Sequence, residues 1–315
     1  MAKFRQHHRR GQNSHSLFSP RTIFLVVLLI GIAVWSLLGD GFDLQRMFGG
    51  DSPSDDYFSN SGSEPEGPGT LELQDDFLPV GAKGPVVKHS YYALSYNERH
   101  EQADWVAYEL TKASIQAPNV KRSGDFRRDR KVESVSAERE DYKRSGYDRG
   151  HMVPAGDMAF SEQAMSETFL MSNMSPQVRA FNGGIWRELE ENVRDWAYKS
   201  DHIYVISGPI LSESELGTIG RNDVSIPAAY FKVLLDVKEP GLKGIGYIMP
   251  NEATDKPIED FAVSIDEVEK KTGFDFFANL LDDTQENRLE SKFDVKLWPT
   301  DKNKYRSRVE SWNHR

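Results

Sequence analysis

Cysteine is absent from the 315-residue chain, which excludes disulfides, thiolate metal sites and cysteine nucleophiles. The absence leaves the compartment open, because exported proteins without cysteine are common. Two segments lack charge of one sign. Residues 1–21 contain Lys3, Arg5, Arg9, Arg10 and Arg21 and no acid, whereas residues 47–82 contain Asp51, Asp55, Asp56, Glu64, Glu66, Glu72, Asp75 and Asp76 and no base. Removing both from the formal net charge of −10 leaves a mildly acidic remainder, so any basic groove must be local. Hydrophobic content of 38% is enough for a real core and excludes wholesale disorder.

The longest uncharged run is "TIFLVVLLIGIAVWSLL", Thr22–Leu38. At ~1.5 Å per residue it reaches roughly 25 Å, within the range that spans a bilayer. A basic flank precedes it and acids follow. A cleavable signal peptide fits less well: Gly31 and Ala33 lie inside the run, and "SLLGDGFD" beyond it offers no A-x-A. We therefore expect an uncleaved signal anchor, with residues 1–21 in the cytosol and everything after Leu38 across the membrane, in the periplasm or at the surface of a bacterium. The Arg-rich, acid-free start also resembles a mitochondrial presequence, which makes the mitochondrial inner membrane the alternative. Residues 39–84 are rich in Gly, Ser, Pro and acid and read as a solvated tether. A globular domain over 85–300 and a polar tail over 301–315 complete the expected organisation.

Within the domain, "HSYYALSY" alternates like a strand, and "NERHEQADWVAYELTKAS" turns toward helical character. "HIYVISGPIL", "AAYFKVLLDV" and "GIGYIMP" are strands by their β-branched and aromatic content. "SIDEVEKKTG" is a short helix, opened by Ser264 with Glu267 and stopped at Gly273. Strands outnumber helices and do not alternate regularly with them. An α+β fold on a mainly antiparallel sheet follows.

Three stretches could carry chemistry. "YDRGHMVPAGDM" gathers Asp148, Arg149, Gly150 and His151. Alone, it reads as a strand end with a local ion pair. A reactive reading needs a neutral imidazole to take a proton from water and a cation for developing phosphate charge. In "FNGGIWRELEENVRDW", Asn182, Trp186, Glu190 and Arg194 are each four residues apart. On a helix that spacing drifts only about 40° per step, so the four would line one edge beside an apolar stripe of Ile185, Leu189, Val193 and Trp196. "KRSGDFRRDRK", Lys121 to Lys131, is a basic loop that suits a nucleic-acid backbone if it lies beside such a site. Asn173 fits an N-x-S glycosylation pattern, which is common by chance.

D-R-G-H followed by "SNMSPQ" and "FNGGIWRELE" resembles the DNA/RNA non-specific endonuclease family, the ββα-metal nucleases that include secreted sugar-non-specific bacterial enzymes and mitochondrial endonuclease G. "ISGPIL", "IPAAYFKVLLD", "GYIMPNE" and "TGFDFF" match in the family's order, and the resemblance runs from about His89 to Trp298. It implies that His151 is the general base, that Asn182 is the one protein ligand of a hydrated Mg²⁺ (or Mn²⁺), and that Glu190 holds metal-bound waters. Arg149, Arg194 and Arg122 would face the phosphate, with Asp148, Asn173 and Gln177 shaping the site. Gly150 would let substrate phosphate approach the backbone. The partners implied are the backbones of DNA and RNA, gripped with little sequence preference; the bilayer is a further partner through Thr22–Leu38, and a homodimer stays open. Two other readings compete: a catalytically degenerate binding module of the same fold, and an enzyme acting on some other phosphodiester.

Overall fold

The computed structural model describes residues 74–134, 136–211, 216–238 and 241–314. The anchor Thr22–Leu38 and most of the tether lie outside them. Among the described residues no helix is long and apolar enough to cross a membrane.

In chain order the elements are β1 (Val86–Lys88), β2 (Ala93–Asn97), β3 (Gln102–Thr111), α1 (Lys112–Gln116), β4 (Asp148–His151), α2 (Glu162–Glu167), β5 (Met174–Gln177), α3 (Arg187–Ser200), β6 (His202–Ile210), β7 (Thr218–Ile219), β8 (Val224–Ser225), β9 (Ala229–Asp236), β10 (Lys243–Pro250), β11 (Ala262–Val263), α4 (Ile265–Thr272), α5 (Asp283–Glu290) and α6 (Lys302–Glu310). Seven strands form one sheet in the order β1-β2-β3-β6-β9-β10-β11. Every neighbouring pair in it is antiparallel. β4 and β5 make a separate two-stranded ribbon, also antiparallel.

Alternation along the central strands divides the core into two layers. Val106, Tyr108 and Leu110 of β3 join Tyr230 and Leu234 of β9 in packing against Leu189, Val193 and Trp196 of α3. Trp105, Ala107, Phe231, Val233 and Leu235 point the other way, toward Ile265 and Val268 of α4 and Leu289 of α5. The apolar stripe expected for α3 is therefore its buried face. On β10, a Cβ at Gly246 would fall 2.6 Å from Val268 Cγ2. That position has no room for a side chain, which lets α4 lie directly on the sheet.

The helical character expected after Asn97 is confined to α1; residues 102–111 are a strand. Two polar residues of this strand are buried and bonded. Gln102 donates to Ser225 O (2.8 Å) and accepts from Ser175 Oγ (2.6 Å), while Asp104 accepts from Asn97 Nδ2 (2.7 Å). Satisfied in this way, they cost little inside a sheet. Ser264 caps α4 by accepting from Glu267 N (3.2 Å), and Gly273 ends it at φ 75°.

Both expected edges of the domain move outward. At the first, Phe77 is fully buried and stacks on Tyr204 with centroids 4.7 Å apart. Val80 and Asp275 exchange two backbone hydrogen bonds (2.8 and 3.0 Å). The last part of the presumed tether thus supplies core. At the second edge, the presumed tail forms α6. Its Arg308 is fully buried, ion-paired to Glu188 of α3, and donates to Thr254 O and Lys256 O. Trp312 lies under the Arg187 guanidinium at 4.0 Å. Replacing Arg308 by Met strands a carboxylate that is itself 1% exposed. It should lower the unfolding free energy by about 3–5 kcal/mol in urea titration, and adding Glu188→Met should recover part of the loss.

Candidate active site

The β4–β5 ribbon sets out the first group of functional side chains. Its register pairs Asp148 with Gln177, Gly150 with Ser175 and His151 with Met174. Strand alternation puts Arg149 and His151 on one face. There two phenylalanines hold the charges apart. His151 packs edge-on against Phe169 (4.9 Å between centroids) and beside Phe126 (5.8 Å). The Arg149 guanidinium lies 4.3 Å over Phe126, and that of Arg122 lies 5.0 Å over Phe169. Two cations thus flank one imidazole, each seated on an aromatic ring rather than on a carboxylate.

His151 as a residue is partly exposed, but its Nε2 is enclosed and has no hydrogen-bond partner in the chain. Burial, then Arg122 and Arg149, push its pKa down to about 3. The imidazole is therefore neutral at physiological pH, as a proton acceptor must be.

Asn182 and Asp148 form the second group. Asn182 Nδ2 donates to Asp148 Oδ2 (3.2 Å), and Arg179 Nη2 donates to Asp148 Oδ1 (3.0 Å). The carboxylate takes the amide's N–H, which leaves the amide oxygen as the group that can serve a cation. Asp148, Arg149, Arg179 and Asn182 line a cleft of about 450 Å³ with Phe126, Tyr142 and Tyr147.

The edge of four residues expected on one regular helix is broken. Residues Phe181–Trp186 form a wider π-type turn, with non-helical backbone at Gly184, before α3 begins. Asn182 stands on that turn, and Trp186 is a core residue, 1% exposed. Glu190 and Arg194 remain together on α3. Arg194 Nη1 donates to Asp157 Oδ1 (2.7 Å), and Tyr108 OH donates to Asp157 Oδ2 (2.7 Å). Burial raises the pKa of Glu190 and Asp157 adds to the rise, while Lys232, Arg194 and Arg122 oppose it. Arg122 acts on both His151 and Glu190, so it links the two halves of the site.

Two expected site residues turn out to be supports. Asn173 is fully buried and braces the chain just after His151: its Oδ1 accepts from Val153 N (2.8 Å), and its Nδ2 donates to Val153 O (3.1 Å) and Thr168 O (2.9 Å). That burial excludes glycosylation at the N-x-S pattern. Gln177 fills the space beside Gly150, where a Cβ would fall 2.1 Å from Gln177 Cδ. This internal neighbour alone requires Gly150 to be small.

Phe126, Phe169, Asp157, Tyr108, Arg179 and Lys232 were not foreseen. Lys232 alone left a signal, a lone cation inside the apolar strand "AYFKVLLD". It is fully buried, with Nζ lacking a hydrogen-bond partner and lying 4.6 Å over Trp186.

A ribbon, a turn and a helix thus bring a neutral histidine, an amide oxygen and several guanidiniums together, a set of groups suited to handling a phosphodiester. The family model described as DNA/RNA non-specific endonuclease matches residues 73–283. The chain belongs to that family and is a DNA/RNA endonuclease. It is 37% identical over 236 residues to a nuclease of Syncephalastrum racemosum, covering 67% of this chain and 74% of the relative. With human mitochondrial endonuclease G it shares 34% identity over 203 residues, 60% of this chain and 68% of that one. A solved EndoG/EndoGI complex matches with TM-score 0.59 and 35% identity, covering 64% of this chain and 88% of that chain.

Two outcomes test the site's construction. Gly150→Ala should cost about 1–3 kcal/mol, and less in a Gln177→Ala background, read as a double-mutant cycle in urea. The depressed His151 pKa means that the unfolded chain binds this proton first, so the associated stability is lost as pH falls below about 6.5. A His151→Gln variant should therefore lose less stability between pH 6.5 and 4, by up to about 1.4 kcal/mol per pH unit.

Proposed function

We propose that the chain is a membrane-tethered, Mg²⁺-dependent endonuclease that hydrolyses DNA and RNA with little sequence preference, using His151 as the base that activates water. The observation that carries this reading is a neutral imidazole flanked by Arg122 and Arg149, each guanidinium seated on an aromatic ring.

The donor set suits a hard, hydrated cation: one amide oxygen, a nearby carboxylate and no thiolate in the chain. Asn182 Oδ1 would hold the ion directly, and Glu190 would accept from its waters. When bound, Mg²⁺ (or Mn²⁺) neutralises charge on the scissile phosphate and the leaving oxygen.

The chain's own residues then do the following. Arg122 and Arg149 face the non-bridging oxygens, and Arg194, held by Asp157, presents its remaining N–H groups. The phosphate charge offsets both guanidiniums, which raises the basicity of His151 only while substrate is bound. The neutral His151 imidazole then takes the proton of the attacking water. Asp148 keeps the Asn182 amide turned. Contacts of this kind grip backbone and leave base edges unread. The exposed Arg128 and Arg130 of the basic loop extend the positive surface.

The tether and anchor rest on the uncharged run Thr22–Leu38, with the catalytic domain on the far side of the membrane. The mitochondrial inner membrane is the second reading, favoured because several relatives are named as mitochondrial enzymes.

His151→Ala should reduce cleavage of plasmid and RNA by about 10²–10⁴-fold with folding intact, in assays run with Mg²⁺ and with EDTA. Undiminished cleavage would exclude the mechanism. Asp148→Asn should act on metal use, raising the Mg²⁺ concentration for half-maximal activity by about 10–100-fold.

A further inference from the structure

On the face of the sheet away from α3, three carboxylates meet. Asp266 and Glu269 are three positions apart on α4 and share one face, and Glu290 ends α5. Each side chain offers an oxygen, and these oxygens all lie within 4.8 Å of one another. Ile265, Val268 and Leu289 root both helices in the second core layer, which fixes the spacing.

Glu290 makes this more than an acidic patch. It is 4% exposed, and its Oε1 is enclosed without any hydrogen-bond partner. Burial comes first in pushing its pKa up, to about 9, followed by Glu269, Glu286, Asp266 and Asp275, all of them acids. Glu269 is held in place because its Oε1 accepts from Phe276 N (2.9 Å). A buried carboxyl with an unbonded oxygen, set beside two more carboxylates, calls either for a shared proton or for a cation. A set made only of carboxylate oxygens suits Ca²⁺, which takes six to eight oxygens in flexible geometry, better than Mg²⁺, which keeps most of its waters.

We propose that Asp266, Glu269 and Glu290 form a Ca²⁺-binding site, independent of the nuclease centre, that ties α4 to α5. The other coordination positions fall to backbone carbonyls and water, so binding should be in the weak range, with Kd about 10⁻⁴ M.

The full chain carrying Asn182→Ala removes binding at the nuclease centre from the readout. CaCl₂ at about 10 mM should raise its Tm by roughly 5 °C. Adding Glu290→Gln should abolish that rise, and so should adding Asp266→Asn with Glu269→Gln, a pair on a more exposed surface that reads the same site should Glu290→Gln fail to fold. Without calcium, Glu290→Gln should be about as stable as its parent, because the enclosed carboxyl is already protonated at neutral pH. With Asn182 restored, Glu290→Gln should cleave plasmid at the wild-type rate. No calcium-dependent rise in the Asn182→Ala chain, or a rise that survives these substitutions, would overturn the site and leave a shared proton as the explanation.

Discussion

A histidine that is to accept a proton from water must stay neutral and must not spend its acceptor nitrogen on a neighbour. Phe126 and Phe169 impose that condition on His151. They line the ring with apolar surface and seat Arg149 and Arg122 on their outer faces. A carboxylate in either place would have raised the pKa of His151 and competed for its N–H. A bound anion would offset both guanidiniums and raise the basicity of the ring.

The surrounding structure serves to keep that arrangement still. Asn173 fixes the chain after His151 through three hydrogen bonds, and Gln177 occupies the volume that Gly150 leaves free. The turn bearing Asn182 is held at its far end by the C-terminal segment: Arg308 is buried against Glu188, and a Cβ at Gly184 would fall 2.6 Å from Asn313 Oδ1. The C-terminal segment is thus part of the frame for the Asn182 amide. The second layer, with α4 and α5 on the opposite face of the sheet, is free to carry a cation site of its own without disturbing the chemistry.

Much of the fold is legible in the sequence. β6, β9 and β10 announce themselves by β-branched and aromatic content, and α4 by its Ser264 cap and Gly273 stop. β3 does not, because Gln102 and Asp104 look like solvent-facing polars until their buried partners Ser225, Ser175 and Asn97 are brought in from other strands. His151, Asn182, Glu190 and Arg194 were readable as residue types at suggestive spacing. Their geometry was less so: a π-type turn at Gly184 breaks the four-residue period that a regular helix would have kept. Phe126 and Phe169 left no signal, since an aromatic in a loop or after a short helix reads as ordinary core. Arg308 reads as a tail cation because its partner Glu188 lies on α3, far back along the chain.

The central claim is that His151 stands neutral and unbonded between two cations. Its most direct test is the titration of the His151 ring by NMR in a chain with ¹⁵N-labelled histidine and no substrate. The ring should stay neutral as pH falls through 5, with a midpoint near the value of about 3. Arg122→Ala should move that midpoint upward. A wild-type midpoint near 6.5, unmoved by removing Arg122, would contradict the account.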